Sequence, residues 1–265
     1  MRITSLQNQH IKNVVKLHQR RHRDRQGKLI IEGYRAVLRA IENGYPLETL
    51  YICPSLFFGK NEPWLIESVR KTGVQVIDVA EPAFLKMAYR QRPEGLLAVA
   101  SQVRHALIEQ QTESNGFYLI AESIEKPANL GSILRTADGA GVNATIVCDA
   151  CTDIFNPNVV RASVGTFFSV PVWEASTAET IDWCQAQGIV TLAATPQADK
   201  LYTEVDMTKP IAIVVGTEQY GLSEQWLTCA DAQIKLPMFG QVNSLNVAIA
   251  ASLLLYEAVR QRREE

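Results

Sequence analysis

Two turns and one helix start in this 265-residue sequence carry side chains whose types could do chemistry. The first turn follows the apolar run Ile211–Val215 and reads Gly216-Thr217-Glu218. The second follows the strand-like residues 233–236, opens with Pro237, contains Gly240 and ends in Ser244 and Asn246. Proline has no N–H to give a ladder and glycine permits turns that other residues resist, so both loops are tight and leave backbone groups free to meet a bound molecule. Ligands of open α/β sheets lie at the carboxyl ends of strands, where both turns stand. Ser244 or Asn246 caps the helix that follows, its side-chain oxygen accepting from N–H groups of the first turn. The helix start reads Asn129-Leu130-Gly131 and continues to Arg135, one helical turn beyond Gly131 on the same face. An arginine there either pairs with Asp138 at the surface or meets a phosphate. Neither G-x-G-x-x-G nor G-x-x-x-x-G-K-[ST] is present, so the dinucleotide and P-loop classes find no support.

These residues need a sheet to hold them. After a strand at 117–123 and a helix at 130–140, further strands are expected at Ala144–Cys148, 169–173, 189–194, Ile211–Val215 and 233–236. Helices are expected at 158–164 and 177–187, and after Gly221 with Ser223 as a cap. Ile211–Val215 is wholly apolar, as a strand buried on both faces must be. The last helix, over 247–259, is apolar almost all round and must be covered by a sheet on one side and by another helix or subunit on the other. The first hundred residues alternate as well. A helix at 9–19, a strand at Lys28–Glu32 and a helix at 33–41 lead to strands at 50–53, 74–79 and 96–100, with helices at 63–72 and Glu81–Met87 between them. Residues 104–116, RHALIEQQTESNG, are polar and aperiodic and serve as a linker between domains at 1–103 and 117–265.

Apolar residues make up 47% and charged residues 20%, an ordinary soluble composition. No apolar run approaches the roughly 20 residues of a membrane span, and the N-terminus has no signal-peptide core, so a cytoplasmic protein is expected. Five cysteines, an odd number, fit reduced thiols better than a disulfide framework. Cys148 and Cys151 form a lone C-x-x-C with no second pair or histidine cluster, so no metal is expected. The net charge of −2 conceals an asymmetry: residues 1–114 carry a net +6 and residues 115–265 a net −8. Arg2, Lys12, Lys16, Arg20, Arg21, Arg23, Arg25 and Lys28 crowd the first 28 positions against Asp24 alone, with His10, His18 and His22 interleaved. A basic terminal segment on an otherwise acidic chain is what attraction to a phosphate backbone produces.

Pro237-Met238-Phe239-Gly240 followed by Ser244-Leu245-Asn246-Val247-Ala248 closely resembles the third motif of the SpoU (TrmH-like) branch of the SPOUT RNA methyltransferases, P-M-x-G-x-x-x-S-L-N-V-A-x-A. Two companions precede it in the family's order. Ile213 to Leu222 is similar to the second motif, and Asn129 to Ala137 to the first. The N-terminal half resembles, more loosely, the ribosomal-protein-L30e-like substrate-binding domain that often precedes the SpoU domain, through Asn8, Ile11-Lys12, Lys16-Leu17, Arg23 and Glu32-Gly33.

The resemblance implies an α/β protein, a SPOUT-type knotted (trefoil) parallel-sheet domain preceded by a smaller L30e-like α/β domain. It implies S-adenosylmethionine as cofactor, touched by Gly216, Leu236, Met238, Leu245 and Asn246. Asn129, Arg135, Glu218, Ser244 and Asn246 match the family's polar site positions. The implied reaction is methyl transfer to a ribose 2′-hydroxyl, most readily of 23S-type rRNA, with tRNA or a resistance methylation of rRNA as alternatives and a non-catalytic RNA-binding module as the reading from another class. Arg135 would bind the adjacent phosphate or activate the hydroxyl; its pKa, above about 12, favours the first. Lys12, Lys16, Arg20, Arg21, Arg23, Arg25 and Arg161 would contact RNA, and the family dimerises through the knot region.

Overall fold

The run KLIIE lies between Gly27 and Gly33, whose φ angles of 61° and 99° break the chain on either side, and forms a strand with the expected bounds, Lys28–Glu32. The computed structural model describes residues 2–107, 110 and 112–263. Of the expected linker, residues 108, 109 and 111 lie outside the described residues. The chain forms two units, Met1–Val103 with Asp153–Ser169, and Arg104–Thr152 with Val170–Glu265.

The first unit contains β1 (Arg2–Ile3), α1 (Gln9–Lys16), α2 (Arg20–Gln26), β2 (Lys28–Glu32), α3 (Tyr34–Glu42), β3 (Leu47–Ile52), α4 (Glu62–Lys71), β4 (Gln75–Val79), α5 (Glu81–Met87) and β5 (Leu96–Ser101). Its mixed sheet runs β1-β4-β3-β5-β2, with β5 antiparallel to both neighbours and the other pairs parallel. Ile11 and Val14 of α1 pack with Phe84 and Met87 of α5 in one buried cluster. The helix expected over 9–19 stops at Lys16, and a second helix, α2, takes up the basic run. Its sequence RRHRDRQ has no apolar stripe to announce it; Gly27, in the left-handed region, closes it by accepting the C-terminal position that other residues resist.

Arg23 departs from expectation. It is 1% exposed, and its Nε and Nη2 donate to Asp153 Oδ2 at 3.1 and 2.5 Å. Nη1 donates to the carbonyls of Leu17 and His18, both at 2.9 Å. A planar guanidinium can be buried only where its donors are met, and here they close the end of α1 and hold a distant loop. Arg23 is therefore internal and belongs to no RNA-facing surface. His18 adds little charge either: burial lowers its pKa, the Met87 carbonyl opposes that shift, and Arg23 reinforces it. Asp153 leads into α7 (Pro157–Ala162), where Asn158 donates to the Tyr89 hydroxyl at 3.0 Å. Gly165 then brings the following 3-10 turn against α3; a Cβ there would stand 2.9 Å from Ala36 Cα. The segment 153–169 thus packs with the N-terminal residues, and Arg161 with it.

The second unit contains β6 (Phe117–Glu122), α6 (Pro127–Ala140), β7 (Ala144–Cys148), β8 (Val172–Ala175), α8 (Thr177–Ala186), β9 (Val190–Ala194), β10 (Lys200–Leu201), β11 (Ile211–Val215), α9 (Glu224–Cys229), β12 (Ala232–Lys235) and α10 (Val247–Arg263). All seven strands are parallel, in the order β10-β12-β9-β11-β6-β7-β8. Helix α10 packs on α6 and β11, while α8 meets β7, β9 and α9, so every residue of β11 is buried. Near the end of α10, Arg262 donates to the carbonyls of Met207, Asn115, Gly116 and Lys209 at 2.9, 3.1, 3.3 and 2.5 Å.

Replacing Asp153 by Ala strands the Arg23 guanidinium in the interior. The expected loss of unfolding free energy is about 3–5 kcal/mol, read as a fall in the urea midpoint. A loss below about 1 kcal/mol, the range of exposed pairs, would contradict the structural role given to Arg23.

Candidate functional site

The carboxyl ends of β9, β11 and β12 enclose a cavity of about 320 Å³, within the roughly 300–1,000 Å³ of small-molecule sites. Its wall after β11 is a closed turn. Thr217 N donates to Gly221 O at 2.9 Å and Gly221 N returns the bond at 3.1 Å, while Tyr220 N donates to Thr217 Oγ1 at 2.9 Å. Gly216 must be glycine for this turn to close, because a Cβ would lie 2.3 Å from Gly221 O. Leu222, Ile234, Leu236 and Leu245 supply apolar walls, and Met238 and Ser244 complete the side formed by the second turn. Four of the five residues expected at the cofactor, Gly216, Leu236, Met238 and Leu245, therefore line one cavity.

The fifth, Asn246, stands at its edge with two duties. Its Oδ1 accepts from Ala248 N at 3.0 Å and its carbonyl from Ala250 N at 2.9 Å, so of the two candidate caps Asn246 is the one that caps α10. Its Nδ2 donates to Glu218 Oε1 at 2.7 Å and reaches Asn129 Oδ1 at 3.3 Å. Asn129 Nδ2 also donates to Glu218 Oε1, and Lys126 Nζ to Glu218 Oε2. Residues separated by more than a hundred positions thus converge on one carboxylate. The Glu218 contact raises the pKa of exposed Lys126, which stays an ammonium and is no base. Ser244 lines the cavity, and among the described residues it makes no capping hydrogen bond.

Arg135 is exposed on α6, and among the described residues it forms no ion pair, with Asp138 or with any other acid. Lys12, Lys16, Arg20, Arg21 and Arg25 are exposed on α1 and α2, with Arg20 Nε 3.4 Å from Asp24; Arg161 is exposed on α7. Two residues outside the expected set matter. Lys126, at the N-cap of α6, could have been singled out because it directly precedes the helix-opening Pro127. Glu122, 4% exposed at the end of β6, accepts from Thr177 Oγ1 and Ser223 N, both at 2.8 Å; its only signal is an acid closing an apolar run. Cys148 is buried and its thiol pushed up to about 12 by burial, whereas Cys151 is exposed. No group of metal-binding side chains occurs among the described residues.

The SpoU rRNA Methylase family model matches residues 116–256, and the MRM3-like substrate binding domain model matches residues 8–98. The chain is 32% identical over 255 residues to the 23S rRNA (uridine(2479)-2′-O)-methyltransferase of Streptomyces viridochromogenes, covering 93% of this chain and 87% of that one. It is 29% identical over 254 residues to the 23S rRNA (guanosine(2553)-2′-O)-methyltransferase RlmP of Bacillus subtilis (strain 168), covering 96% and 97%. Among solved structures, an RNA 2′-O ribose methyltransferase superposes with a TM-score of 0.88 at 38% identity over 99% of this chain and 100% of that chain. The AdoMet-bound rRNA methyltransferase from Sinorhizobium meliloti does so with 0.89 at 30% identity, over 98% and 97%.

Gly216→Ala is expected to force the 217–221 turn open and abolish calorimetric binding of S-adenosylmethionine while leaving the far-UV circular dichroism unchanged. Binding within threefold of wild type would show that the closed turn is not part of the cavity's function.

Proposed function

We propose, since the chain belongs to the SpoU rRNA methylase family, that it methylates a ribose 2′-hydroxyl of 23S-type rRNA using S-adenosylmethionine. The observation that carries this reading is the cavity at three strand ends with the Glu218, Asn129 and Asn246 cluster at its edge. The cavity fits the cofactor: its walls are apolar where a flat heterocycle must pack, and the Gly216 turn leaves main chain without intervening side chains. Gly216, Leu222, Leu236, Met238, Ser244 and Leu245 would hold it. When bound, it supplies a methyl group on a positively charged sulfur, already a good leaving group.

The protein's own task is alignment, because an in-line transfer fails when its partners are displaced by about 1 Å. Asn246 serves this by fixing the start of α10 to the β11 turn and the start of α6 at once. Arg135 presents a guanidinium that pairs with no acid among the described residues and whose fork matches a phosphate, and its permanent charge suits binding better than proton removal. Ser244 orients the ribose. The exposed cations of α1 and α2, with Arg161, form the surface on which the first unit, residues 1–103 together with 153–169, takes up the rRNA, so that the second unit acts on it. The C-terminal segment of the second unit is threaded through a loop as the trefoil knot of the family. Ile249, Leu253 and Tyr256, exposed on α10, form the face through which two copies pair. The protein works in the cytoplasm, where its RNA lies.

Arg135→Ala is expected to lower transfer of labelled methyl to rRNA from a deletion strain by about 100-fold with cofactor affinity within threefold of wild type; Arg135→Lys recovers only part of it. Loss of cofactor binding by Arg135→Ala would remove the phosphate role. For the subunit face, Leu253→Asp is expected to turn a sedimenting dimer into a monomer, and an unchanged sedimentation coefficient would exclude that face.

A further inference from the structure

Tyr220 is the aromatic residue among those lining the cavity, and it is 77% exposed. Among the described residues its ring meets no other ring and its hydroxyl has no hydrogen-bond partner, so it contributes little to packing. Its backbone, in contrast, is held firmly. The N–H is bonded to Thr217 Oγ1, the turn is closed by the paired Thr217 and Gly221 groups, and Glu218 two residues earlier is tied to Asn129, Asn246 and Lys126. A large ring held open to solvent on a fixed turn is a preorganised surface, not a packing element.

The reaction specifies what it would meet, on the reading given above. The acceptor ribose must reach the cavity mouth, and the base attached to that ribose must lie within a few ångströms of it. To enter, the nucleotide leaves its neighbours in the RNA and loses their stacking, and proteins compensate such a loss with aromatic side chains. Tyr220 is the aromatic residue among those lining the cavity. We propose that Tyr220 is the platform on which the unstacked base of the target nucleotide rests. Every base has a π-face, so this contact confers affinity and orientation without fixing base identity.

The test measures methyl transfer from labelled S-adenosylmethionine to rRNA from a deletion strain, with cofactor affinity by calorimetry and subunit state by sedimentation. Tyr220→Ala is expected to raise KM for the RNA about tenfold or more, the scale of losing one base stack, with cofactor affinity and sedimentation unchanged. Tyr220→Phe is expected to stay within about twofold of wild type. Four results would overturn the assignment: an unchanged RNA KM in Tyr220→Ala, a Phe variant as impaired as the Ala variant, an equal loss of cofactor binding, or a shift to monomer that places Tyr220 against a second copy. Absence of transfer by the wild-type protein would overturn the methyltransferase reading itself, which separates that failure from failure of the stack alone.

Discussion

The site depends on one amide side chain. Asn246 gives its oxygen to the first turn of α10 and its nitrogen to Glu218, so the helix cannot start without also engaging the turn after β11. Asn129 brings the start of α6 to the same carboxylate. Neither aspartate nor serine could do this: aspartate would place a second charge against Glu218, and serine is too short to cap and reach across. The polar edge of the cavity is therefore a by-product of helix capping, which explains how a site can be built from ends of elements far apart in the sequence.

Glu122 plays a comparable part deeper in the sheet. Closing β6 with a buried carboxylate is costly unless donors meet it, and Thr177 and Ser223 do so at the starts of α8 and α9. Because Ser223 directly follows Leu222, this bond fixes the far end of the turn that forms the cavity wall. The wall is thus anchored at one end by Glu122 and toward the other by the Glu218 cluster.

Much of the fold was legible in the sequence, for a physical reason that also marks where legibility ended. Strands β2, β7 and β11 formed with their expected bounds because apolar runs closed by glycine or polar residues leave few alternatives. The residues that the family resemblance places at the cofactor were named from their motifs, and four of them line one cavity. What could not be read was every feature decided by a distant partner. Helix α2 has no apolar periodicity, and its basic composition suggested an RNA face that Arg23 does not join, since only Asp153, 130 positions away, reveals its burial. Segment 153–169 reads as part of the second half, yet its packing lies with the first. The choice between Ser244 and Asn246 as cap rested on geometry that one sequence does not contain.

The Arg23–Asp153 pair also bears on how the chain acquires its structure during synthesis. The N-terminal unit emerges first from the ribosome, but with only residues up to Val103 available the Arg23 guanidinium has no carboxylate to meet, and β2 lacks its α7 neighbour. Its completion waits until residues 153–169 are made, by which time the residues of β6, α6 and β7 of the other unit have already been synthesised. Translation therefore imposes interleaved rather than sequential maturation on the two units.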